Sequence, residues 1–479
     1  MQDIQKLLMS FFAASNSMLW GWGMIWVLLG TGIYYTIRLG FPQIRHFTYM
    51  FKVTLGGRKK SEHGGITSFQ ALCTGLAAQV GTGNLAGVAT ALVSGGPGAI
   101  FWMWITALVG MATIMAEAIL AQVFRVDNGD GTFRGGPAYY IEKGLGQKWM
   151  SVLFSVCIII SMAFIFNAVQ CNSIAAGVYG GLGLDKRAVA VVVIILTALV
   201  IFGGLRRIAR VAEIIVPLMA SVYILTALYV VLTNISQVPS VIELIIENAF
   251  GIRQAAGGVL GHTVARAFRY GVARGLFSNE AGMGSTPNAN ATAEVAHPAR
   301  QGFVAMMGVF VDTIVVCTAT AAIILLSGEL ESGKTGIELT QIAVKASIGN
   351  FGTLLIMFAI FFFAWSSILA NYYYGESNIG YLFPNIGKNG MAVYRIIVLC
   401  MLYFGAVGDV PLVWEMADFF NGIMALINLV AILLLSGITC KVFTDYNNRR
   451  GTGELDPKAD PVFLNSFLKG AKGGALKNE

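Results

Sequence analysis

The chain has 479 residues, of which 56% are hydrophobic and only 12% carry a charged side chain. Soluble domains carry about 25% charged residues, so the composition excludes an ordinary soluble protein and predicts an all-α protein that crosses a membrane many times. The net charge of +7 comes from basic residues scattered among short loops. This distribution argues against nucleic acid as a partner and favours a role in membrane topology.

Eleven hydrophobic segments succeed one another along the chain, and its length suits about this number of membrane-spanning helices. The seventh is the least apolar, because its first half carries His262, Arg266, Arg269 and Arg274 at near-helical spacing. We expect this half to form an amphipathic helix at an interface or facing a vestibule. The segments cover residues 17–37, 67–93, 98–124, 149–179, 187–204, 211–233, 257–287, 301–326, 351–374, 391–408 and 414–441.

Basic residues are concentrated in every second connection between these segments. Such loops are cytoplasmic by the positive-inside rule, which predicts an N-terminus outside the cell and a C-terminus inside. We expect the protein to lie in the cell (inner) membrane. An odd number of spans agrees with this topology. The first basic connection, residues 38–66, contains Arg38, Arg45, Lys52, Arg58, Lys59 and Lys60.

Two glycine-rich stretches interrupt the second and seventh segments: residues 79–84 (QVGTGN) and residues 277–287 (FSNEAGMGSTP). Unwound backbone at membrane depth is tolerated only where it is buried in protein or lines a cavity. A pair of such breaks at corresponding places in two halves indicates the binding site of a transporter. Glycines also allow helices to pack closely, but the polar neighbours Gln79, Thr82 and Asn84 favour an unwound site.

The position of the breaks predicts an internal repeat. Without the first segment, ten remain, and each break falls in the first helix of a group of five. An odd number of helices per group makes the two groups inverted relative to each other, as in inverted-repeat transporters. We therefore expect an extra N-terminal helix with a basic loop (1–66), a first repeat (67–233), a second inverted repeat (234–441) and a mobile cytoplasmic tail (442–479).

The chemistry expected at the first break comes from its exposed backbone groups. The N-terminus of a half-helix presents free N–H groups and partial positive charge, which suit a carboxylate. The preceding half-helix presents free carbonyls, which suit Na⁺ or an ammonium group. Ser366 and Ser367, in a later segment, offer hydroxyl ligands for Na⁺, although such hydroxyls often bond to carbonyls of their own helix.

Several other polar side chains lie at apparent membrane depth, where they are expensive and often functional. Glu280, in the second break, either accepts from backbone N–H groups of the break and holds the loop in shape, or contacts substrate or ion. Glu117 could brace an unwound segment, whereas Asp312 and Asn167 could equally join packed helices. The remaining candidates are Asn279 and Gln170, and the aromatic residues Phe277 and Trp365 beside the polar sites.

Residues 95–110 (GGPGAIFWMWITALVG) resemble a signature of the alanine or glycine:cation symporter family. The resemblance extends to both breaks and over most of the chain. It implies membership of the amino acid–polyamine–organocation superfamily and a LeuT-type 5+5 inverted repeat with one extra N-terminal helix. It also implies uptake of small neutral amino acids by symport with Na⁺ or H⁺.

The resemblance further implies roles for individual residues. Na⁺ would bind the carbonyls of Ala77, Val80 and Phe363 and the hydroxyls of Ser366 and Ser367. The substrate carboxylate would meet N–H groups of Gly81, Thr82 and Gly83, and its ammonium would meet carbonyls near Phe277 and Ser278. Gln79 and Asn84 are the candidates for side-chain contacts, with Trp365 nearby.

The sequence as a whole favours a Na⁺-coupled symporter of alanine or glycine that acts as a monomer and needs no cofactor. A proton-coupled symporter, with Glu280 or Glu117 carrying the proton, is the nearest alternative. An ion channel would need repeated rings of charge or carbonyls. An enzyme would need a nucleophile with its base or a metal motif, and His262 and His297 lack such partners in the sequence.

Overall fold

The computed structural model describes residues 2–58, 65–251, 260–408, 411–451 and 458–470. The described chain is helical apart from a two-stranded hairpin and short loops. Lys59, Lys60 and residues 257–259 of the predicted seventh segment lie outside the described residues. The hairpin pairs β1 (Val126–Asp127) with β2 (Phe133–Arg134).

The α-helices are numbered in chain order. Those of the N-terminal part are α1 (Gln2–Leu19), α2 (Trp22–Arg38), α3 (Pro42–Arg45), α4 (Phe47–Gly56), α5 (Ser68–Gln79), α6 (Val88–Gly95), α7 (Gly98–Val123), α8 (Pro137–Tyr140), α9 (Lys148–Ile158), α10 (Asn167–Leu182), α11 (Lys186–Ile201) and α12 (Gly204–Thr233). The later ones are α13 (Val238–Phe250), α14 (Leu260–Asn279), α15 (Pro287–Asn290), α16 (Pro298–Val309), α17 (Thr318–Ser327), α18 (Gly336–Ile348), α19 (Asn350–Leu382), α20 (Gly387–Val407), α21 (Pro411–Leu434), α22 (Ser436–Gly451) and α23 (Pro461–Gly470).

Several π-helical stretches adjoin α-helices and continue them rather than interrupt them. A π-helical turn is wider than an α-helical one and is frequently found at functional sites. The stretches are Gly83–Gly87 before α6, Ile141–Leu145 after α8, Ile159–Phe166 between α9 and α10, and Phe310–Cys317 between α16 and α17.

Within the described residues, eight helical spans are long and apolar enough to cross a membrane, and one bent pair raises the number to nine. The two other predicted segments are also helical but fall short of that criterion. Helix α11 has only 16 residues, and α14 carries three arginines. The first half of the seventh segment is thus a helix, as its charge spacing predicts.

The first break is a sharp bend between two half-helices. Helix α5 begins with a capping box between Thr67 and Gln70 and ends at Gln79, and the next residue, Val80, has a ψ of 83° that is not helical. The next half-helix, Gly83–Gly95, continues at 49° to the first. The predicted interruption at residues 79–84 is therefore present.

The second break has a different form. Helix α14 ends at Asn279, and Glu280 then adopts a φ of 57°, which is uncommon for a residue other than glycine. Gly282 and Gly284 come next at φ 87° and 82°, where glycine avoids the steric cost of a Cβ. The loop leads into α15, which has only four residues, so the second break is not continued directly by a long half-helix.

Helix α7 organises the interior of the bundle. It packs against α14 and α16, and also contacts α2 and α13. Helix α5 packs against α12, α16 and α19, while α10 packs against α19 and α20. These contacts enclose both breaks within protein, as unwound membrane backbone requires.

The C-terminal part differs from the predicted boundary at residue 441. Helix α22 (Ser436–Gly451) runs through that boundary, and helix α23 lies within the segment expected to be a mobile tail. Ahead of α23, the backbone N–H of Ala459 donates to the carbonyl of Ala296 at 2.9 Å. Residues 458–470 of the predicted tail thus contain a helix and a hydrogen bond to the rest of the protein.

Candidate functional site

Asn84 ties the first break to two other helices. Its Oδ1 accepts from the Gly81 N–H at 2.9 Å, which fixes the backbone turn. Its Nδ2 donates to the Ser278 hydroxyl at 3.0 Å and to the Asp312 carboxylate at 2.5 Å. Asn84 is fully buried, so its amide group is used in joining protein elements.

Asp312 collects further donors around the same point. The Ser278 hydroxyl donates to its Oδ2 at 2.8 Å and the Thr313 hydroxyl at 2.7 Å. Thr313 in turn accepts from Asn279 Nδ2 at 3.2 Å. A buried carboxylate needs such donors or a cation, and this one lies where the first break, the end of α14 and a π-helical stretch meet.

Gln79 connects the two breaks directly. Its Nε2 donates to the backbone carbonyl of Asn279 at 2.7 Å, and the Thr286 hydroxyl lies 3.4 Å away. The side chain therefore reaches the second break across the helix interface. This bond joins the first break to the second.

Glu117 on α7 supplies the acceptor for the second break. Its two carboxylate oxygens accept from the backbone N–H groups of Gly282 and Gly284, each at 3.1 Å. Asn428 donates to the same carboxylate at 2.5 Å and also to the Gly282 carbonyl at 3.0 Å. The Tyr140 hydroxyl donates to Asn428 Oδ1 and completes the chain of bonds.

Glu280 is used within its own loop. Its carboxylate accepts from the hydroxyls of Ser285 at 2.6 Å and Thr286 at 2.9 Å. Of the two interpretations left open by the sequence, the geometry favours the one in which Glu280 holds the loop. The backbone amides that were expected to satisfy Glu280 are instead bound by Glu117.

Of the residues implied as sodium ligands, Ser367 lies directly against the first break. The Ser366 and Ser367 hydroxyls both donate to the Phe363 carbonyl, at 3.0 and 2.9 Å, so both bond to their own helix. The Ser367 Oγ also lies 3.5 Å from the Ala78 carbonyl in α5. Their oxygen lone pairs can still accept a cation while the protons are donated.

Backbone geometry at the break exposes carbonyls near these hydroxyls. The Gly81 N–H donates to the Gln79 carbonyl and to Asn84, so it does not close the usual helical bond to the Ala77 carbonyl. Val80, the residue after α5, is fully buried. Carbonyls at such a helix end lack helical donors and can bind other partners.

Three buried amide oxygens on α10 and α19 have no hydrogen-bond partner in the described part of the chain. They are Oδ1 of Asn167, Oε1 of Gln170 and Oδ1 of Asn371. Gln170 Nε2 would lie 3.2 Å from a Cβ at Gly81, and Asn371 is one helical turn beyond Ser367. Unsatisfied buried acceptors are costly, and a bound ammonium group would satisfy them.

Two aromatic candidates have different environments. The Phe277 ring lies 5.3 Å from the Phe166 ring, directly before Ser278 of the Asp312 network. Trp365, in contrast, donates its indole N–H to Thr197 on α11 at 3.1 Å and stacks on Phe361. The Trp365 ring thus contacts α11 and Phe361 rather than the breaks. Adjacency to Ser366 in the sequence does not place the two side chains on the same face of α19.

Glycines at the first break have contrasting surroundings. A Cβ at Gly81 would lie 2.5 Å from Ser367 Oγ, so only glycine permits this approach of α5 to α19. A Cβ at Gly83 would meet nothing within 4 Å. Thr82, between them, is buried, and the helix that begins there has N–H groups without helical acceptors.

Asn428 and Thr313 belong to these networks but were not predicted as part of the site. Both are polar and fall within apolar segments, so intramembrane polarity could have found them. Nothing in the sequence showed that Asn428 would meet Glu117, because the two residues are more than 300 positions apart.

The chain resembles known proteins over nearly its whole length. It is 48% identical over 449 residues to the amino-acid carrier protein AlsT of Bacillus subtilis, covering 94% of this chain and 93% of that protein. It is 44% identical to the probable sodium/glutamine symporter GlnT of Bacillus subtilis, covering 98% and 96%. The sodium/alanine symporter AgcS of Methanococcus maripaludis is 43% identical, with coverage of 91% and 96%.

Among solved structures, a mutant of the manganese transporter of Eremococcus coleocola shares the fold at a TM-score of 0.50. Its sequence identity is 12%, over 84% of this chain and 92% of that chain. The model of the sodium:alanine symporter family matches residues 5–461. Both this family and the named relatives are transporters and not enzymes. Because the family model covers residues 5–461 and the relatives match nearly the whole chain, the chain belongs to the sodium:alanine symporter family.

Proposed function

We propose that this protein imports alanine or glycine by symport with Na⁺ through alternating access. One observation carries the proposal: at the first break, helix-end backbone amides, the displaced carbonyl of Ala77, the Ser367 hydroxyl and the Gln170 side-chain amide lie close to Gly81. The relatives agree with this class of substrate, because their names include an amino-acid carrier and a sodium/alanine symporter.

The substrate would lie across the first break. Its carboxylate would accept from N–H groups around Thr82 and Gly83, and from that of Gly81 in place of Asn84 Oδ1, where the helix dipole adds positive charge. Its ammonium would donate to the carbonyls at the end of α14, near Phe277 and Ser278. The Gln170 side chain reaches Gly81 with its Nε2, and its unpartnered Oε1 adds a further acceptor.

Open space beside Gly83 leaves room for part of the substrate. A Cβ added there meets no atom within 4 Å, so the backbone amides at this position can be approached. Glutamine, named for one relative, is the competing substrate, and uptake competition between alanine, glycine and glutamine would separate them.

Na⁺ would occupy the other face of the break, held by five oxygens. They are the carbonyls of Ala77, Val80 and Phe363 and the hydroxyls of Ser366 and Ser367. Because ion and substrate use the same unwound backbone, each favours the closed state that the other needs. Moving one charge across 100 mV contributes about 2.3 kcal/mol to accumulation, before any concentration term.

Alternating access would proceed by rocking of the broken helices against the rest of the bundle. We assign residues 67–233 and 234–441 to two inverted repeats of the LeuT type, with residues 1–66 outside them. The direct bond from Gln79 to Asn279 supports joint movement of the two breaks. We place the protein in the cell membrane with its N-terminus outside.

One observation favours coupling to protons as the alternative to coupling to Na⁺. Asp312, Glu117 and Glu280 are three carboxyl groups buried at the breaks, and a relative is named a putative sodium/proton-dependent alanine carrier. Asp312 touches both Asn84 and Ser278 and is the best placed of the three to carry a proton.

Uptake of radiolabelled alanine into proteoliposomes tests the proposal. In the wild type, an inward Na⁺ gradient should drive uptake, whereas a proton gradient without Na⁺ should not. Ser366→Ala and Ser367→Ala each remove a ligand, worth about 1.5–3 kcal/mol for a bond to a charged group. The Na⁺ concentration for half-maximal uptake should therefore rise roughly tenfold or more.

Ser347→Ala is the matched control. Its hydroxyl bonds to a carbonyl of its own helix at 2.8 Å, as the other two serines do, but it lies on α18. Sodium dependence unchanged in Ser366→Ala and Ser367→Ala would refute the assigned ion site. Uptake driven equally well by protons in the absence of Na⁺ would establish the alternative.

A further inference from the structure

A cavity of about 280 Å³ opens between α1, α14 and α21, separate from the first break. It is large enough for a small organic molecule, since a water molecule takes about 30 Å³. Its polar wall consists of Asn16 and Trp20 from α1, Arg269 and Arg274 from α14, and Glu415 and Asp418 from α21.

The charges on this wall are divided by sign between two helices. Both arginines belong to α14, and both acids belong to α21. Among the ion pairs of 4 Å or less in the described part of the chain, none involves these four side chains. The cavity thus presents arginines on one side and carboxylates on the other, and these groups do not form ion pairs with one another.

Asn16 adds an unsatisfied acceptor. Its side chain is buried, with 9% exposed. Its Nδ2 donates to the backbone carbonyl and to the carboxylate of Glu415, both at 2.7 Å. Both partners only accept, which fixes the orientation of the amide, and within the described residues Asn16 Oδ1 is left without a hydrogen-bond partner. A buried acceptor of this kind is costly unless a donor reaches it.

We propose that this cavity is a second binding site for a free zwitterionic amino acid. The carboxylate would bind Arg269 and Arg274, and the ammonium would bind Asp418, Glu415 and the free oxygen of Asn16. The inference rests on the proposed function in one respect: the ligand is the amino acid that the central site transports.

The floor of the cavity connects it to the central site. Phe277 lines the cavity, and its ring lies 5.3 Å from Phe166 and 5.8 Å from the Arg274 guanidinium. The next residue, Ser278, already belongs to the Asp312 network. An amino acid in the cavity would therefore be separated from the first break by one layer of aromatic side chains, which would have to part for it to pass.

This site gives the N-terminal helix a role outside the two proposed repeats. Helix α1 packs against α21, and besides the bonds of Asn16, the Trp20 indole N–H donates to the Asp418 carbonyl at 2.9 Å. Helix α1 thereby closes one side of the cavity. The cavity would capture substrate ahead of the central site.

Equilibrium dialysis of radiolabelled L-alanine against the purified full chain in nanodiscs tests the inference. We expect two bound alanines per chain with Na⁺ and one when choline replaces Na⁺, because the cavity has no sodium ligands assigned to it. Ser367→Ala should weaken the sodium-dependent site and leave the sodium-independent one.

Arg269→Gln and Asp418→Asn should weaken the sodium-independent site about tenfold or more, since each loses a charge-assisted bond. Arg266→Gln is the matched control: it removes the same charge one turn earlier on α14, outside the cavity wall. Retained sodium-dependent binding in all three variants shows that they fold.

A single bound alanine in Na⁺, or identical sodium-independent binding in Arg269→Gln and Arg266→Gln, would overturn the second site. That result is distinct from failure of the proposed function, in which the wild type would show no Na⁺-driven alanine uptake at all. Sodium-driven uptake with only one bound alanine would thus reject the second site alone.

Discussion

Glu117 satisfies two backbone amides of the second break with one carboxylate. Its neighbour in space, Asn428, holds both that carboxylate and the Gly282 carbonyl. The unwound loop thus obtains the hydrogen bonds that a helix would have given it, which lipid cannot supply. Glu117 is fully buried and acts as a positioning residue for the break.

Glu117→Gln should weaken this support. The substituted NH₂ group cannot accept a hydrogen bond, so one loop amide loses its partner at a cost of about 1–3 kcal/mol. We expect a lower melting temperature and a lower maximal rate of alanine uptake. Thermal unfolding followed by fluorescence and uptake into proteoliposomes measure the two effects.

Glu243→Gln, on the exposed face of α13, provides the control for the same chemical change. It should match the wild type in both assays. If Glu117→Gln also matched the wild type, the hydrogen bonds to Gly282 and Gly284 would not be what holds the loop.

Intramembrane polarity allowed Glu117, Glu280, Asn84 and Gln79 to be singled out from the sequence, but their partners could not be predicted. The structure joins Asn84 to Ser278 and Gln79 to Asn279, pairs about 200 positions apart. Such pairings depend on which helix faces pack together, and hydropathy does not specify them. Asn84 and Gln79 were expected to contact substrate, whereas these hydrogen bonds go to protein groups.

At the scale of elements, the two breaks differ in the length of the helix that succeeds each of them. The first continues into a half-helix of more than a dozen residues at 49°, while the second leads into a four-residue helix. Glycine content predicted both interruptions. The length of the helix after each could not be predicted, because it depends on Pro287, Pro298 and the loop between them rather than on hydropathy.

The close approach of α5 and α19 at Gly81 permits a sharp test. In Gly81→Ala, the new methyl would lie 2.5 Å from Ser367 Oγ, so one helix must shift. We expect the Na⁺ requirement to rise and alanine uptake to fall to a small fraction of the wild-type rate. The initial uptake rate at several Na⁺ concentrations is the measurement.

Gly87→Ala places the same methyl on the second half-helix of this break, where nothing lies within 4 Å. It should keep most of the uptake and an unchanged Na⁺ requirement. If Gly81→Ala and Gly87→Ala lost alanine uptake equally, the contact with Ser367 would not explain the loss. The flexibility of glycine at both positions would then be the cause.

At the scale of the whole molecule, the all-α architecture and most spans could be predicted from hydropathy. Helices α11 and α14 are the exceptions among the predicted spans, since one is short and the other is charged. The charge on α14 has a structural reason: Arg269 and Arg274 face the cavity beside α21. The same arginines that weaken the hydrophobic signal therefore create the second binding site that we propose.

The orientation of the molecule decides how this cavity can serve transport. The positive-inside rule predicts that Ser332, in the exposed turn after Glu329–Glu331, faces the outside. It places Gln147, exposed just before α9, in the cytoplasm. A membrane-impermeant maleimide should therefore label Ser332→Cys in intact cells and Gln147→Cys only after permeabilisation.

The unsubstituted protein controls for the exposed native Cys400. The opposite labelling pattern would reverse the topology, and the cavity would then open toward the cytoplasm, where it could only receive substrate that has already crossed.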